Sequence, residues 1–371
     1  NEKILYLDGS SHWYPGFAHA PLKSFDLVIN QPEGWEIISQ GKAIRSMGSI
    51  RYEMPNPQDD IYLIGGLYTR YSKTVSDTEV EVFLLNDNPA LAEKYLDTSL
   101  HYLDIYSDWI GAYPYAKFAV VENYWQTGYG MPSFTLLGSQ VIRLPFILHT
   151  SLPHEIVHNW WGNGVFVDYS KGNWSEGLTA YMADHFSNQQ RGQDQEYRRK
   201  ALERYANFAS EKRDIALADF TSRHDEASQA VGYSKSMMLF HMLRNRLGAQ
   251  QFKHQLQTFW GNFKFKSASF PELIEHLANE SDIDQQQFIS QWLNRKGAPA
   301  IMLSSSSVKQ DDSGYVLEIV IRQQQNGESY VVVVPVKVTL ANGESKLEHI
   351  KLGSKTETLM LIYQAKPIEV H

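Results

Sequence analysis

Pro153-His154-Glu155-Ile156-Val157-His158-Asn159-Trp160-Trp161-Gly162 is the stretch on which the reading of the whole chain turns. Its residue order predicts one helix. Thr150 or Ser151 can cap its start, Pro153 is tolerated in the first turn, and Gly162 with Gly164 can stop it. On a helix of 3.6 residues per turn, His154 and His158 lie about 40° apart, so two imidazoles share one face and can hold one metal ion. Glu155 flanks that face, within reach of a water beside the metal. Ile156, Val157, Trp160 and Trp161 are left to seat the helix in a core. This is an H-E-x-x-H pattern, for which zinc is the usual metal and the glutamate the general base. Alone it is a weak signal: chance supplies it in on the order of a few per cent of chains this long, and a helical histidine pair is more often structural.

The parts such a site still needs lie downstream. A catalytic zinc takes three protein ligands and keeps one open position. Glu176 stands at the start of the next expected helix, in Trp174-Ser175-Glu176-Gly177, and a helix–loop–helix return can bring its carboxylate back to the first helix. Asp168 and Asp184 are the competing acids. Two neutral histidines and one carboxylate leave a divalent ion with net positive charge, which lowers the pKa of a bound water.

Composition bounds the rest. The chain has 371 residues, enough for two or three domains, and 43% hydrophobic with 20% charged residues marks a globular protein. Aromatic residues make up 13%, which favours large cores or an aromatic-lined cleft. A formal net charge of −8 argues against nucleic acid as a partner. No apolar run is long enough for a membrane span, and no charged-then-apolar leader is visible. With no cysteine, disulfides and thiolate sites are excluded, and histidine and carboxylate are the only strong metal ligands. Absence of cysteine and of a leader leaves the compartment open, with a lean towards a trimmed periplasmic or extracytoplasmic protein. Oligomeric state is not readable.

In chain order, residues 1–85 read as short strands: Phe25–Asn30, Ile50–Tyr52, Tyr62–Tyr68 and Glu79–Leu85, with a polar turn at Asn56–Asp60. That region is expected to be too small for a comfortable sandwich, and to be part of something longer. Asn88-Pro89 opens a helix ending near Gly111. Lys117–Glu122 reads as a strand, Tyr124–Gly130 as a loop and Met131–Leu137 as a second extended piece. Helices are expected over Trp174–Asn188, Glu196–Ala209 and Tyr233–Leu247, and from near Pro271 and Ile283. The methionines at 237, 238 and 242 read as core. Ser304–Ser307 opens a second β region, in which Tyr315–Arg322 and Tyr330–Leu340 alternate and Ala341-Asn342-Gly343 signals a hairpin.

These motifs resemble those of the M1 family of zinc aminopeptidases, within the gluzincin metallopeptidases. There, H-E-x-x-H is followed by eighteen residues and a glutamate in W-x-N-E-G; here seventeen residues separate His158 from Glu176. Trp160-Trp161-Gly162-Asn163 resembles the family's W-[FW]-G-[ND] continuation. Tyr233-Ser234-Lys235-Ser236 resembles Y-x-K-G, with Ser236 for the glycine. The resemblance implies His154, His158 and Glu176 as metal ligands, one zinc ion per chain, Glu155 as base and Tyr233 as donor to the developing oxyanion. It implies an α+β architecture: a thermolysin-like, mostly helical catalytic domain (86–300) between a partial amino-terminal β domain (1–85) and a small β-sandwich (301–371).

One motif departs. The family's G-x-M-E-N edge strand binds the substrate backbone and its glutamate holds the free α-amine. In Gly128-Tyr129-Gly130-Met131-Pro132-Ser133, Gly130 and Met131 match as substrate-binding positions, but Pro132 stands for the glutamate and Ser133 for the asparagine. Glu122-Asn123 lies too far upstream to serve. A metallopeptidase acting on peptides is therefore the first reading. A zinc peptidase of altered or non-exopeptidase specificity is the second, and a non-catalytic peptide-binding scaffold the third.

Overall fold

Asn88 accepts a hydrogen bond from the Leu91 amide through Oδ1, and Pro89 takes the first helical position, so the long helix begins where the sequence places it. The computed structural model describes residues 4–16, 22–75, 78–126, 128–209 and 212–371. The chain divides into two units, Asn1–Arg295 and Lys296–His371.

The first unit begins with strands. β1 (Ile4–Leu7), β6 (Leu63–Gly66) and β3 (Glu36–Ile38) form one sheet in the order β1-β6-β3, and β2 (Lys23–Asn30), β5 (Ser49–Gln58) and β4 (Lys42–Ser46) form another in the order β2-β5-β4. Ile37, Ile50, Tyr52 and Leu63 form a buried cluster drawn from both sheets, with Leu27, Ile29 and Trp35 packed against it. The amino-terminal strands thus share a small buried core. Asn56–Asp60 is corrected: β5 runs through Pro55, Asn56 and Pro57 to Gln58 before the chain bends.

A mixed five-stranded sheet follows, in the order β10-β11-β9-β8-β7, built from β7 (Thr69–Val75), β8 (Thr78–Leu84), β9 (Lys117–Asn123), β10 (Gly128–Met131) and β11 (Phe134–Gly138). α1 (Pro89–Ile110) crosses from β8 to its parallel neighbour β9 and buries Tyr95, Leu103 and Ile110; Gly111, at φ +135, ends it. The stretch 131–137 is not one extended piece. Met131 pairs with Phe134 across the two-residue turn Pro132-Ser133, and β10 returns antiparallel along β11 as an edge strand. Proline at the first corner and Ser133 at φ +67 at the second is the pattern of a type II turn. Of the loop expected over 124–130, Thr127 lies outside the described residues.

The helical part holds α2 (Ser151–Val157), short strands β12 (Phe166–Val167) and β13 (Ser267–Ala268), α3 (Ser175–Thr179), α4 (Phe186–Gln190), α5 (Asp194–Phe208), α6 (Glu226–Gln229), α7 (Ser236–Leu247), α8 (Ala249–Phe263), α9 (Phe270–Leu277) and α10 (Gln285–Trp292). Two π-helical turns interrupt it: Ala180–His185 between α3 and α4, and Ala230–Lys235 between α6 and α7. Met237 is buried as expected, whereas Met238 and Met242 are only half-buried.

The second unit consists of two three-stranded sheets. β14 (Ile301–Asp311), β15 (Gly314–Gln323) and β18 (Thr356–Tyr363) form one; β17 (Ser345–Leu352), β16 (Val332–Leu340) and β19 (Pro367–Val370) form the other. Leu317, Ile319, Ile321, Val336, Val338 and Ile350 share a core between them. Ala341-Asn342-Gly343 does join an antiparallel pair, and the serine run lies inside β14, the first strand of this unit. Among the described residues no helix is long and apolar enough to cross a membrane.

Candidate metal centre and active site

α2 is a short helix held by aromatic side chains. Leu152, Ile156 and Val157 are buried on it, and Trp160 and Trp161, just past its end, are fully buried. Their indole N–H groups are satisfied, Trp160 Nε1 by Gly111 O at 2.9 Å and Trp161 Nε1 by Met182 Sδ at 3.1 Å. The helix stops earlier than expected: Val157 is its last residue and His158 its C-cap, followed by turns. The four-residue spacing survives because the His158 amide still donates to His154 O. Gly162, at φ +108, then turns the chain sharply. Neither Thr150 nor Ser151 caps with its side chain; Thr150 Oγ1 donates to Phe146 O instead.

Glu176 arrives from α3, whose start is fixed by Asn173 Oδ1 accepting from Ser175 N and Oγ at 3.0 and 2.8 Å. His154, His158 and Glu176 each offer a ligand atom within 4.8 Å of the others, and among the described residues no other group of three histidines or acids does so. Nε2 of His154 and Nε2 of His158 both stand 3.5 Å from Glu176 Oε2. That oxygen is buried and has no hydrogen-bond partner of ordinary geometry. The opposite ring nitrogens are engaged elsewhere: Nδ1 of His154 lies 3.3 Å from Asp184 Oδ2, and Nδ1 of His158 lies 3.0 Å from Trp161 O. Both free Nε2 lone pairs and an orphaned carboxylate oxygen therefore face one point. Such a donor set fits a divalent ion of the zinc type, with outer groups fixing the ring tautomers.

Of the two competing acids, Asp168 is spent on a turn, where it accepts from Ser170 N and Oγ. Asp184 lies in the π turn Ala180–His185 and supports His154 from behind. The sequence signal for that role was its place eight residues after Glu176, two turns along one helical face.

Charge follows this geometry. Burial pulls the His154 imidazole down, but the Asp184, Glu176 and Glu155 carboxylates together outweigh it and the ring is held well above its ordinary value. Burial likewise opposes the charged form of His158, and Glu176 carries it upward. Burial raises the Glu176 carboxyl, yet the His158 and His154 rings hold it well below the usual carboxylate range. Glu155 is pushed up by burial against the pull of both histidines.

Glu155 faces β10. A Cβ on Gly128 would stand 3.0 Å from Glu155 Oε1, and one on Gly130 would stand 2.7 Å from Oε2 and 3.1 Å from His158 Cβ. Only glycine lets the edge strand come this close. Met131, the next residue, points its side chain into the core shared by β9 and β11. The turn beyond it is tied down: Asn159 Oδ1 accepts from Ser133 N at 2.8 Å, and Ser133 Oγ accepts from Gly41 N and Lys117 Nζ, each at 3.2 Å. Asn159, which sequence reading passed over, thus links the turn to α2.

Tyr233 lies in the second π turn, its ring stacked on His154 at 6.2 Å between centroids with planes 14° apart. Burial and then the Glu176 charge push its phenol up, so it stays a donor near neutrality. Gly177 allows the approach of α3 to α7, since a Cβ there would sit 1.8 Å from Ser236 Oγ.

Comparison with known proteins agrees with the motifs. Residues 148–292 match the peptidase family M1 domain. This stretch is similar to an M1-type peptidase domain. Alanine/arginine aminopeptidase of Saccharomyces cerevisiae is 23% identical over 61% of this chain and 29% of its own length. Aminopeptidase 2, mitochondrial, of the same yeast is 27% identical over 56% of this chain and 22% of its own. Aminopeptidase N of Rattus norvegicus is 23% identical over 78% of this chain and 34% of its own. The chain therefore spans about a quarter to a third of the length of these relatives.

Proposed function

We propose that the chain is a zinc-dependent metallopeptidase of the M1 type that hydrolyses peptide bonds. The observation that carries this reading is the convergence of His154, His158 and Glu176 on one point, with Glu155 beside them and Tyr233 across. His154, His158 and Glu176 would hold the ion, and Asp184 and the Trp161 carbonyl would keep the two rings oriented. Bound zinc would supply a Lewis acid that polarises the scissile carbonyl and acidifies water. Glu155 takes the proton of the attacking water and passes it to the leaving amine. The Tyr233 O–H donates where negative charge develops on the carbonyl oxygen. The edge of β10 at Gly130 and Met131 aligns the substrate backbone as an added strand. In this reading, residues 86–300 form a thermolysin-like catalytic domain between a β domain at 1–85 and a β-sandwich at 301–371.

The relatives are named as aminopeptidases, but a second reading of specificity is favoured by one observation. Pro132 forms the buried corner of a hairpin turn, and the ionised group bonded to that turn is the Lys117 ammonium. A peptidase with no strict need for a free amino terminus follows. Incubation with a library of free and N-acetylated peptides, read by mass spectrometry beside zinc analysis, tests both readings. Cleavage that depends on zinc and vanishes in Glu155→Gln supports the reaction; no cleavage of any peptide by zinc-loaded protein overturns it.

A further inference from the structure

Tyr233 and Lys235 lie two apart in the π turn Ala230–Lys235, so their side chains leave the turn on nearly opposite sides. The Tyr233 ring leaves towards the metal-ligand cluster, between His154 and Phe220, with the Phe220 ring 6.3 Å from it. Phe220 also packs against the backbone at Gly232, where a Cβ would stand 2.0 Å from Phe220 Cζ. Lys235 leaves to the back. It is buried, and its Nζ donates to Arg295 O, just beyond α10, at 3.2 Å.

The Tyr205 ring of α5 lies under the ammonium, with Nζ 5.7 Å from its centroid, and Tyr205 Oη donates to Asp214 Oδ2 at 2.8 Å. A buried cation is costly, and an apolar side chain such as methionine would fill the same space without that cost. What the ammonium adds is a directed bond, which ties the back of the turn to one main-chain carbonyl. Burial pulls the Lys235 ammonium down to about 8, with the Asp214 carboxylate favouring its charge and the Arg295 guanidinium opposing it. The first turn of α7 carries no titratable group, Glu226 on α6 is exposed, and Glu176 on α3 faces the Tyr233 side.

We propose that Lys235 is a positioning residue for Tyr233, a strut behind the π turn that keeps the phenol O–H aimed at the metal-ligand cluster. The inference rests on the peptidase reading, in which that O–H meets the developing oxyanion. Ring contacts tolerate centroid separations of roughly 4.5–7 Å, whereas a hydrogen bond holds its atoms within a few tenths of an ångström. The contacts to His154 and Phe220 therefore leave the phenol room to slide, and the bond from Lys235 to Arg295 O removes it. A shift of about 1 Å in a catalytic group costs on the order of 10²-fold in rate. Loss of the Lys235 proton as pH rises leaves a neutral amine, a weaker donor, so turnover should decline on the alkaline side.

Lys235→Met should lower kcat about 10- to 100-fold with little change in KM. In a Tyr233→Phe background the same substitution should cost less than about twofold more, since both changes act through one O–H. A merely structural lysine would give additive losses. The decline in kcat centred at about pH 8 should disappear in Lys235→Arg, whose charge does not titrate, and move to lower pH in Asp214→Asn. Lys117, the other buried lysine brought down to about 8, lies under the Pro132-Ser133 turn and is unchanged in both variants. With isotope-labelled histidine, the His154 ring resonances read the stacking of Tyr233 without metal or turnover. At neutral pH they should move in Lys235→Met towards their positions in Tyr233→Leu. If Lys235→Met does not fold, Asp214→Asn carries the test. Unmoved His154 resonances, additive losses, or an alkaline decline that persists unchanged in Lys235→Arg would overturn the proposal. A protein with no turnover at any pH would fail the peptidase reading instead, and the resonances would still decide the strut.

Discussion

Asp184 Oδ2 stands 3.3 Å from Nδ1 of His154, on the side of the ring opposite the nitrogen that faces Glu176. The carboxylate fixes the tautomer with Nε2 bare and makes the imidazole a better ligand. Asp184→Ala should lower zinc affinity about 10- to 100-fold, measured by competition with a chelator, and leave the helical signal intact. His154→Ala, His158→Ala and Glu176→Ala should each lose most of the metal. Full zinc occupancy in the Glu176 variant would mean that another group is the third ligand.

The candidate metal face was legible because a helix converts spacing into geometry: His154, Glu155 and His158 carry their arrangement in their numbers. The cap of α1 at Asn88 and its end at Gly111 were legible for the same local reason. What was not legible depended on groups distant in sequence. The tie from Asn159 to Ser133 spans 26 residues and involves a main-chain amide, for which no side-chain pattern exists. The two π turns have no sequence signature of their own; each is an extra residue absorbed by packing, at the turns that carry Asp184 and Tyr233. The Pro132-Ser133 corner was misread as extended because proline alone suits strand edges as well as turns.

Binding and chemistry should separate at Glu155 and Tyr233. Glu155→Gln keeps the shape beside Gly130 and loses the proton acceptor, so zinc content and peptide affinity should hold while turnover falls by several orders of magnitude. Tyr233→Phe keeps the ring stacked on His154 and loses one O–H. A fall of roughly 10²–10³-fold in kcat with little change in KM is expected. Near-normal turnover in the phenylalanine variant would remove Tyr233 from the mechanism.

Gly177 and Ser236 should behave as one unit. A methyl group on Gly177 would lie 1.8 Å from Ser236 Oγ and 2.3 Å from its Cβ, so Gly177→Ala forces α3 and α7 apart. The cost is about 1–3 kcal/mol, as for overpacked cores generally. Ser236→Gly removes the obstructing atoms, and the double variant should recover most of the stability lost in the alanine variant. Chemical denaturation of the four proteins gives the coupling directly. Additive losses would show that the two helices are not in the close contact described.

The last prediction concerns the amino end of the substrate. A carboxylate paired with the substrate ammonium in a partly dry cleft is worth roughly 1.5–3 kcal/mol, about one to two decades in preference for a free amine. At the matching position this chain has Pro132, buried at a turn corner, and the neighbouring Ser133 Oγ accepts from a lysine. Asp8, an acid of the amino-terminal strand region, has its Oδ1 already engaged by Ser10 Oγ at 2.6 Å and by Ser11 N at 3.2 Å. It caps its own turn. The increment should therefore be missing, and kcat/KM for matched free and N-acetylated peptides should differ by less than about tenfold. Single-residue aminoacyl anilides, which rely on that anchor most, should be slow substrates. A preference for the free amine above about a hundredfold would show that a carboxylate reaches the substrate ammonium after all. Asp8→Asn would then be the first variant to make, since loss of the preference would identify the group that does so.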